Sequence, residues 1–333
     1  MNWSKGYSIS YYMTRIDPIT WHDIERIEII DGSIKRESGG MRESATVDCT
    51  AYPRIVEQWI RIWLDIEQTG ANQHIPLFTG LATSPARDFT GDNESNSIEC
   101  YSVLKPASDV YLLRGWYAPA GRRGAEVIKE LLADIPAPVS IAEDSPALQS
   151  HIIAEDTETH LTMIEKILTA INWRMRILGD GTVRVEPKPS EPVATFDPID
   201  NDVIETEIKV KEDWFSCPNV FMAIANDLMA IARDDSINSP LSTVNRGREV
   251  WRQETSCDLA DNETIEQYAL RRLKELQKTE KTASYDRRFM PNVYPGDAVR
   301  LHYPAQSLDG VFTVSSQSVD LSYAARTSEE IIK

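Results

Sequence analysis

The sequence predicts an α+β protein that is mainly β, and three observations carry the prediction. Roughly the first hundred residues alternate apolar and polar side chains, a stretch near the middle switches to helical period, and the last third returns to short strands broken by turns. At 333 residues the chain is expected to form two or three domains. With 41% hydrophobic residues, 8 Trp and 12 Tyr, it has the apolar surface a folded core requires and lacks the composition of a disordered chain.

The clearest strand is Trp59 to Ile66, W-I-R-I-W-L-D-I. Strict alternation puts Ile60, Ile62, Leu64 and Ile66 on an inward face and Trp59, Arg61, Trp63 and Asp65 on the other. That second face is either a partly covered sheet face or a partner-binding face, since Trp and Arg are enriched at interface cores. Glu25 to Ile30 and Ala45 to Ala51 read as further strands joined through Gly39-Gly40. Leu77 to Ala82 and Ser97 to Leu104 complete the set, with a polar turn expected from Gly91 to Ser97. Short, regularly spaced strands suggest a barrel or a sandwich.

Ala125 to Asp134 is a short amphipathic helix with Val127, Ile128, Leu131 and Leu132 on one side, stopped by Pro136 and Pro138. A second helix spans about Glu158 to Asn172, with Leu161, Ile164, Ile167, Leu168 and Ile171 forming an apolar stripe. It feeds a hairpin, Trp173 to Leu178 and Thr182 to Glu186, turned by Gly179-Asp180-Gly181. Pro187, Pro189 and Pro192 then mark a linker.

Asn219 to Ala225 and Leu228 to Arg233 read as a largely buried hairpin around Asn226-Asp227, and Ser236 to Gly247 as loop. Thr264 to Gln277 is a helix opened by a Thr264/Gln267 capping box, with Ile265, Tyr268, Ala269, Leu273 and Leu276 on its apolar side. Pro295-Gly296-Asp297 predicts a turn before the strand Ala298 to Tyr303, and Asp309-Gly310 predicts another before Val311 to Ser315.

Charge narrows the function classes. Lys plus Arg number 35 against 52 Asp plus Glu, a formal charge of −17, which disfavours a broad nucleic-acid or anionic-membrane surface. The longest notable uncharged run, Trp214 to Asn226, is short for a membrane helix, and no secretion signal is visible after Lys5, so the expectation is a soluble protein made in a reducing compartment. Cys49, Cys100, Cys217 and Cys257 fit no metal or disulfide framework, and the five histidines fit no metal motif. Gly121-Arg122-Arg123-Gly124 lacks the ending of a phosphate loop, Gly6 to Ser10 lacks the closing Gly of a nucleophile elbow, and Asp200-Asn201-Asp202 lacks the rest of a calcium loop. No catalytic, cofactor or metal residue is therefore assigned. Two facing carboxylates would suffice for a glycosidase, so a hydrolase stays open on composition.

Cys217-Pro-Asn-Val-Phe-Met-Ala-Ile-Ala, the helix E-T-I-E-Q-Y-A-L-R-R-L-K-E-L, Tyr294-Pro-Gly-Asp-Ala-Val-Arg-Leu and Asp309-Gly-Val-Phe-Thr-Val-Ser-Ser follow one another in the C-terminal half. Upstream lie Ile75-Pro-Leu-Phe-Thr-Gly, Ile98-Glu-Cys-Tyr-Ser-Val-Leu and I-L-T-A-I-N-W-R-M-R-I-L-G-D-G-T-V. This ordered series resembles the tail hub, or baseplate hub, proteins of tailed bacteriophages. The resemblance implies two tube-like β-barrel domains, at 1–104 and 203–333, around a small α+β domain at 105–196, with a helical insertion at about 227–281. It implies a homotrimer with pseudo-sixfold symmetry, set in the virion tail after assembly in the host cytoplasm. The ring would join the hexameric tail tube or a distal tail protein to a central spike or fibre and to other baseplate proteins, with a channel for DNA and no sequence-specific nucleic-acid binding or membrane insertion. Trp59, Arg61 and Trp63 are then candidates for the face covered by a neighbouring copy. Three copies would triple the −17 charge, and an acidic bore would pass DNA without binding it. No lysozyme-like or peptidase segment follows Lys333, so no wall-cutting role is expected. The alternatives are a peptidoglycan hydrolase and a β-rich carbohydrate-binding module.

Overall fold

The computed structural model describes residues 7–49, 57–83, 86–90, 93–189, 191–199, 203–225, 228–255, 264–277, 281–322 and 325–333. Among the described residues it is mainly β, with 49% strand and 15% helix. The chain divides into two compact units, one formed by Met1–Ile208 with Ser284–Ile331 and the other by Lys209–Ala283 with Ile332–Lys333.

The first unit opens with β1 (Ser8–Ile16), β2 (Asp23–Glu28), β3 (Asp31–Glu37), β4 (Glu43–Cys49), β5 (Gln58–Gln68), β6 (Ala71–Ala82), β7 (Ala86–Thr90) and β8 (Asn93–Ser102). The alternation in β5 sets its faces as expected. Ile60, Ile62 and Leu64 are fully buried and Ile66 nearly so, each such side chain stabilising the fold by about 1.5–3 kcal/mol. They join Met13, Ile34, Val47, Phe78 and Ile98 in one core. The expected polar turn over Gly91 to Ser97 is corrected: β8 starts at Asn93, and Asn93 to Ser97 pair with β7. Backbone pairing there outweighs the polar composition; Gly91 and Asp92 lie outside the described residues.

The helical section follows with α1 (Lys105–Asp109), β9 (Tyr117–Ala118), α2 (Gly124–Leu131), β10 (Val139–Ile141), β11 (Ile152–Ile153), α3 (His160–Ala170), β12 (Trp173–Ile177) and β13 (Val183–Pro187). Thr159 and Thr162 form the capping box that starts α3. The apolar stripes of α2 and α3 meet in a core that includes Val127, Ile128, Ile164, Ile167, Trp173 and Val185. The sheet beneath runs β10-β13-β12.

After β14 (Ala194–Phe196), β15 (Ile204–Glu212) leads into the second unit: β16 (Val220–Ala225), β17 (Leu228–Arg233), α4 (Thr243–Arg246), β18 (Trp251–Thr255) and α5 (Ile265–Leu276). Thr264 and Gln267 make the expected capping box, and α5 lays Ile265, Tyr268, Ala269 and Leu273 on Phe221, Ala223, Ala230 and Ala232. Two expectations change here. The β16–β17 hairpin is buried on one face only: Met229 and Ile231 stay exposed while Ala230 and Ala232 meet α5. Ser236 to Gly247 also contains a helical turn, α4, because the Ser242 side chain caps Asn245 and Gly247 ends it in the left-handed conformation. The expected turn residues Asn226 and Asp227 lie outside the described residues.

The chain returns through β19 (Lys281–Arg287), β20 (Ala298–Tyr303), β21 (Leu308–Asp320) and β22 (Thr327–Ile332). Asp309-Gly310 is not the turn: both lie in β21, and the reversal is made by a 3-10 turn at Pro304–Gln306 followed by Ser307 at φ 58°. β21 pairs antiparallel with β3, so strands from both ends of the chain share one ladder, β15-β19-β22-β21-β3-β4-β8-β6-β5-β1-β2. Among the described residues the strands form no closed barrel.

Candidate assembly surface

β5 lies between β1 and β6, and its polar face carries Trp59, Arg61 and Trp63. Arg61 is only 6% exposed. Its Nε donates to Thr79 Oγ1 at 3.1 Å, Nη1 to the Asp23 carboxylate at 3.2 Å, and Nη2 to the Asp180 carbonyl at 3.1 Å. Thr79 in turn donates to the Gly179 carbonyl at 2.7 Å. Arg61 thus holds β5, β6, β2 and the β12–β13 turn together, and a buried guanidinium needs that full set of acceptors.

Trp59 is half-buried against the helical section's core and tilts onto Trp21, ring centroids 5.6 Å apart, while Trp21 Nε1 donates to the Asp180 carbonyl at 3.1 Å. Trp63 takes a different setting. It stacks on its cross-strand partner Tyr12 at 6.3 Å and donates to Thr14 Oγ1, and Arg26 lies 3.9 Å above the Tyr12 ring. Arg26, Tyr12 and Trp63 make a ladder across β2, β1 and β5 that ends at the sheet edge. The structure therefore brings Arg61 and Trp63 together, 5.6 Å from guanidinium to ring, and turns Trp59 toward the hairpin.

Sequence reasoning missed Trp21, Asp23, Thr79 and Asp180 as partners of this face. Gly179 and Gly181 offered a signal. A Cβ on Gly179 would stand 1.8 Å from the Pro76 carbonyl oxygen, and Gly181, at φ +85°, sits against Thr79 and Trp21. The two glycines serve the close seat on β6 as well as the turn.

Both ends of the ladder are charged strands. Asp23, Glu25, Arg26 and Glu28 are exposed on β2, and β15 is Ile-Glu-Thr-Glu-Ile-Lys-Val-Lys-Glu with most side chains exposed. Such charges blunt indiscriminate edge pairing. Elsewhere, Cys49, Cys100 and Cys217 are free thiols; burial pushes Cys49 up to about 11 and Cys100 up to about 12, so both stay protonated and unreactive at neutral pH. Cys257 and the Asp200 to Asp202 segment lie outside the described residues. Gly121 to Gly124 is a largely exposed connector in which Arg122 pairs with Glu130 at 2.6 Å and only Gly124 is buried, against Ile171. No cluster of metal-ligating side chains occurs among the described residues, and no described helix is long and apolar enough to cross a membrane.

No family model and no curated protein matches the sequence. Solved structures do match. A tail protein from Neisseria meningitidis MC58 aligns with TM-score 0.67 and 18% identity, covering 99% of this chain and 97% of its own. The 43 kDa tail protein of prophage MuSo2 from Shewanella oneidensis aligns with TM-score 0.66 and 11% identity over 97% of both chains. Prophage tail protein gp18 from Listeria monocytogenes EGD-e gives TM-score 0.54 and 12% identity, covering 97% of this chain and 94% of its own. The chain has the fold of phage tail proteins along nearly its whole length, as the ordered sequence motifs implied.

Proposed function

We propose that this chain is a non-catalytic structural component of a phage-type tail, a hub at the baseplate whose copies close into a trimeric ring. The observation that carries the reading is the fold shared from end to end with two phage tail proteins, at 97% or more of each chain. In the ring, two tube-like parts per chain give pseudo-sixfold symmetry toward the hexameric tail tube, and the threefold underside receives a spike or fibre. The proposed domain plan is 1–104 and 203–333 for the tube-like parts, 105–196 for the small α+β part and about 227–281 for the helical insertion. The charged edges β2 and β15 suit pairing with a chosen neighbour, and closure about a rotation axis leaves no edge free. Of the candidate triad, Trp63 with Tyr12 and Arg26 forms the interface, while Arg61 and Trp59, on the same face of β5, hold it rigid from the side. The bore is acidic, so DNA passes without adhering.

Co-expression with the neighbouring tail proteins, followed by native mass spectrometry, tests the reading: a species holding three copies of the 37.6 kDa chain is expected. Release of reducing ends or peptides from purified cell wall would instead establish a hydrolase.

A further inference from the structure

Among the described residues, Arg36 Nε, Arg42 Nε and Glu43 Oε1 are buried polar atoms without a hydrogen-bond partner, and all three residues line one small cavity. The cavity measures about 20 Å³ and is completed by Glu37, Arg176, Tyr294 and neighbouring apolar groups, enough for one occupant the size of a water or a small ion. Arg36, Arg42 and Glu43 are 5%, 6% and 5% exposed. Arg42 spends Nη1 on the Ser38 carbonyl and Nη2 on Glu165. Arg36 donates to the Leu77 carbonyl and lies 5.0 Å from the Tyr294 ring, so neither of these contacts carries a full negative charge. Arg176 approaches the same ring at 5.8 Å.

Glu43 would be the natural counterion, yet burial pushes its carboxyl up to about 8, with Arg36 opposing and Asp180 adding to the rise. At neutral pH it is largely an acid that can donate its O–H. Two guanidinium N–H groups and one carboxyl O–H are then unspent donors around a space that fits one small acceptor.

The geometry points to a binding site for a small monovalent anion of halide size, held by Arg36, Arg42 and Glu43 between the β3–β4 turn and β12. The surrounding acids are mostly engaged: Glu165 of α3 by Arg42, Glu186 of β13 by Arg174 and Arg176, and Asp297 by Arg174 and the Tyr294 N–H, with Glu37 of β3 and Asp180 of the hairpin turn also nearby. Ionisation of Glu43 would place a negative charge beside the anion, so halide and proton bind together; bound halide holds the carboxyl proton above the empty site's value of about 8, and both leave as pH rises beyond it.

The test uses crystals of the full chain grown in gluconate and soaked in bromide, with the thermal midpoint measured in sodium bromide against sodium gluconate at equal ionic strength. Below pH 8 the expected result is an anomalous bromide peak within hydrogen-bond reach of Arg36 and Arg42 Nε, with a higher midpoint in bromide. Above that pH both effects should vanish in the native chain and persist in Glu43→Gln, which stays neutral. A water in the cavity with no bromide peak on the acid side overturns the proposal. So do bromide peaks at the surface alone, an adventitious ion only, and equal occupancy on both sides of pH 8 in the native chain.

Discussion

Two buried ionic clusters sit on the same strand ladder and are finished to different degrees. On β19 and β22, Arg287 and Glu329 are 1% and 2% exposed. Glu329 accepts from Arg287 Nε and Nη2 at 2.9 Å each, from Tyr285 Oη at 2.7 Å and from Gln317 Nε2 at 2.6 Å. Burial, with Glu329 adding to it, raises the Tyr285 hydroxyl well above its usual range, so it remains a donor. Every side-chain nitrogen and oxygen of Arg287 and Glu329 is paired, although Gln317 Oε1 beside them is unmatched; at Arg36, Arg42 and Glu43 the burial is similar, but each charged residue itself carries an unmatched polar atom. A mated cluster fixes which strands pair and in what register; an unmated one leaves chemistry available. Low exposure alone does not separate structural charges from a site. The donor and acceptor count does.

The comparison breaks most sharply at the mated cluster. Arg287→Met strands Glu329 in the interior and should cost about 3–5 kcal/mol in urea denaturation, whereas adding Glu329→Leu should restore much of the loss because no lone charge stays buried. Next is Glu43→Gln. The Glu43 carboxyl rises from its usual 4.5 to about 8, so between those values the folded chain retains a proton that the unfolded chain has released. Native stability therefore falls with rising pH across that window, and the substitution should remove a pH-dependent difference on the order of a few kcal/mol, read as the difference between the two stability–pH curves. Arg61→Leu should follow at about 1–3 kcal/mol, less than the buried pair because Asp23 keeps access to water. Trp63→Ala should change monomer stability least, by about 1 kcal/mol, since the ring is only half-buried. Its effect is expected in assembly, as loss of the three-copy species with tail partners.

Local signals account for what was legible in the sequence. The β5 alternation lies within one window, and Thr264/Gln267 and the apolar stripes of α2 and α3 set their helices without distant help. The fold class followed from these periods. The β21–β3 pairing, which joins Ser316 to Glu37 and Asp320 to Ser33, was not readable, because residues nearly three hundred positions apart meet through register and not through composition. Asp309-Gly310 misled for a related reason: a turn-forming pair is tolerated in a strand when a neighbouring segment, here Pro304–Gln306, already reverses the chain. Half the candidate surface was visible as Trp59, Arg61 and Trp63 on one strand face. Its partners Asp23, Thr79 and Asp180 arrive from three other segments, so only coordinates reveal that Arg61 is committed within the chain.

Ring closure by copies of this chain is the property on which the proposed interface rests. Cryo-electron microscopy of the chain co-purified with its neighbouring tail proteins measures that directly. Three copies about a threefold axis are expected, with β2 and Trp63 covered by an adjacent copy and an open bore at the centre. A single copy in the assembled complex, with the Arg26–Tyr12–Trp63 ladder facing solvent, would contradict it.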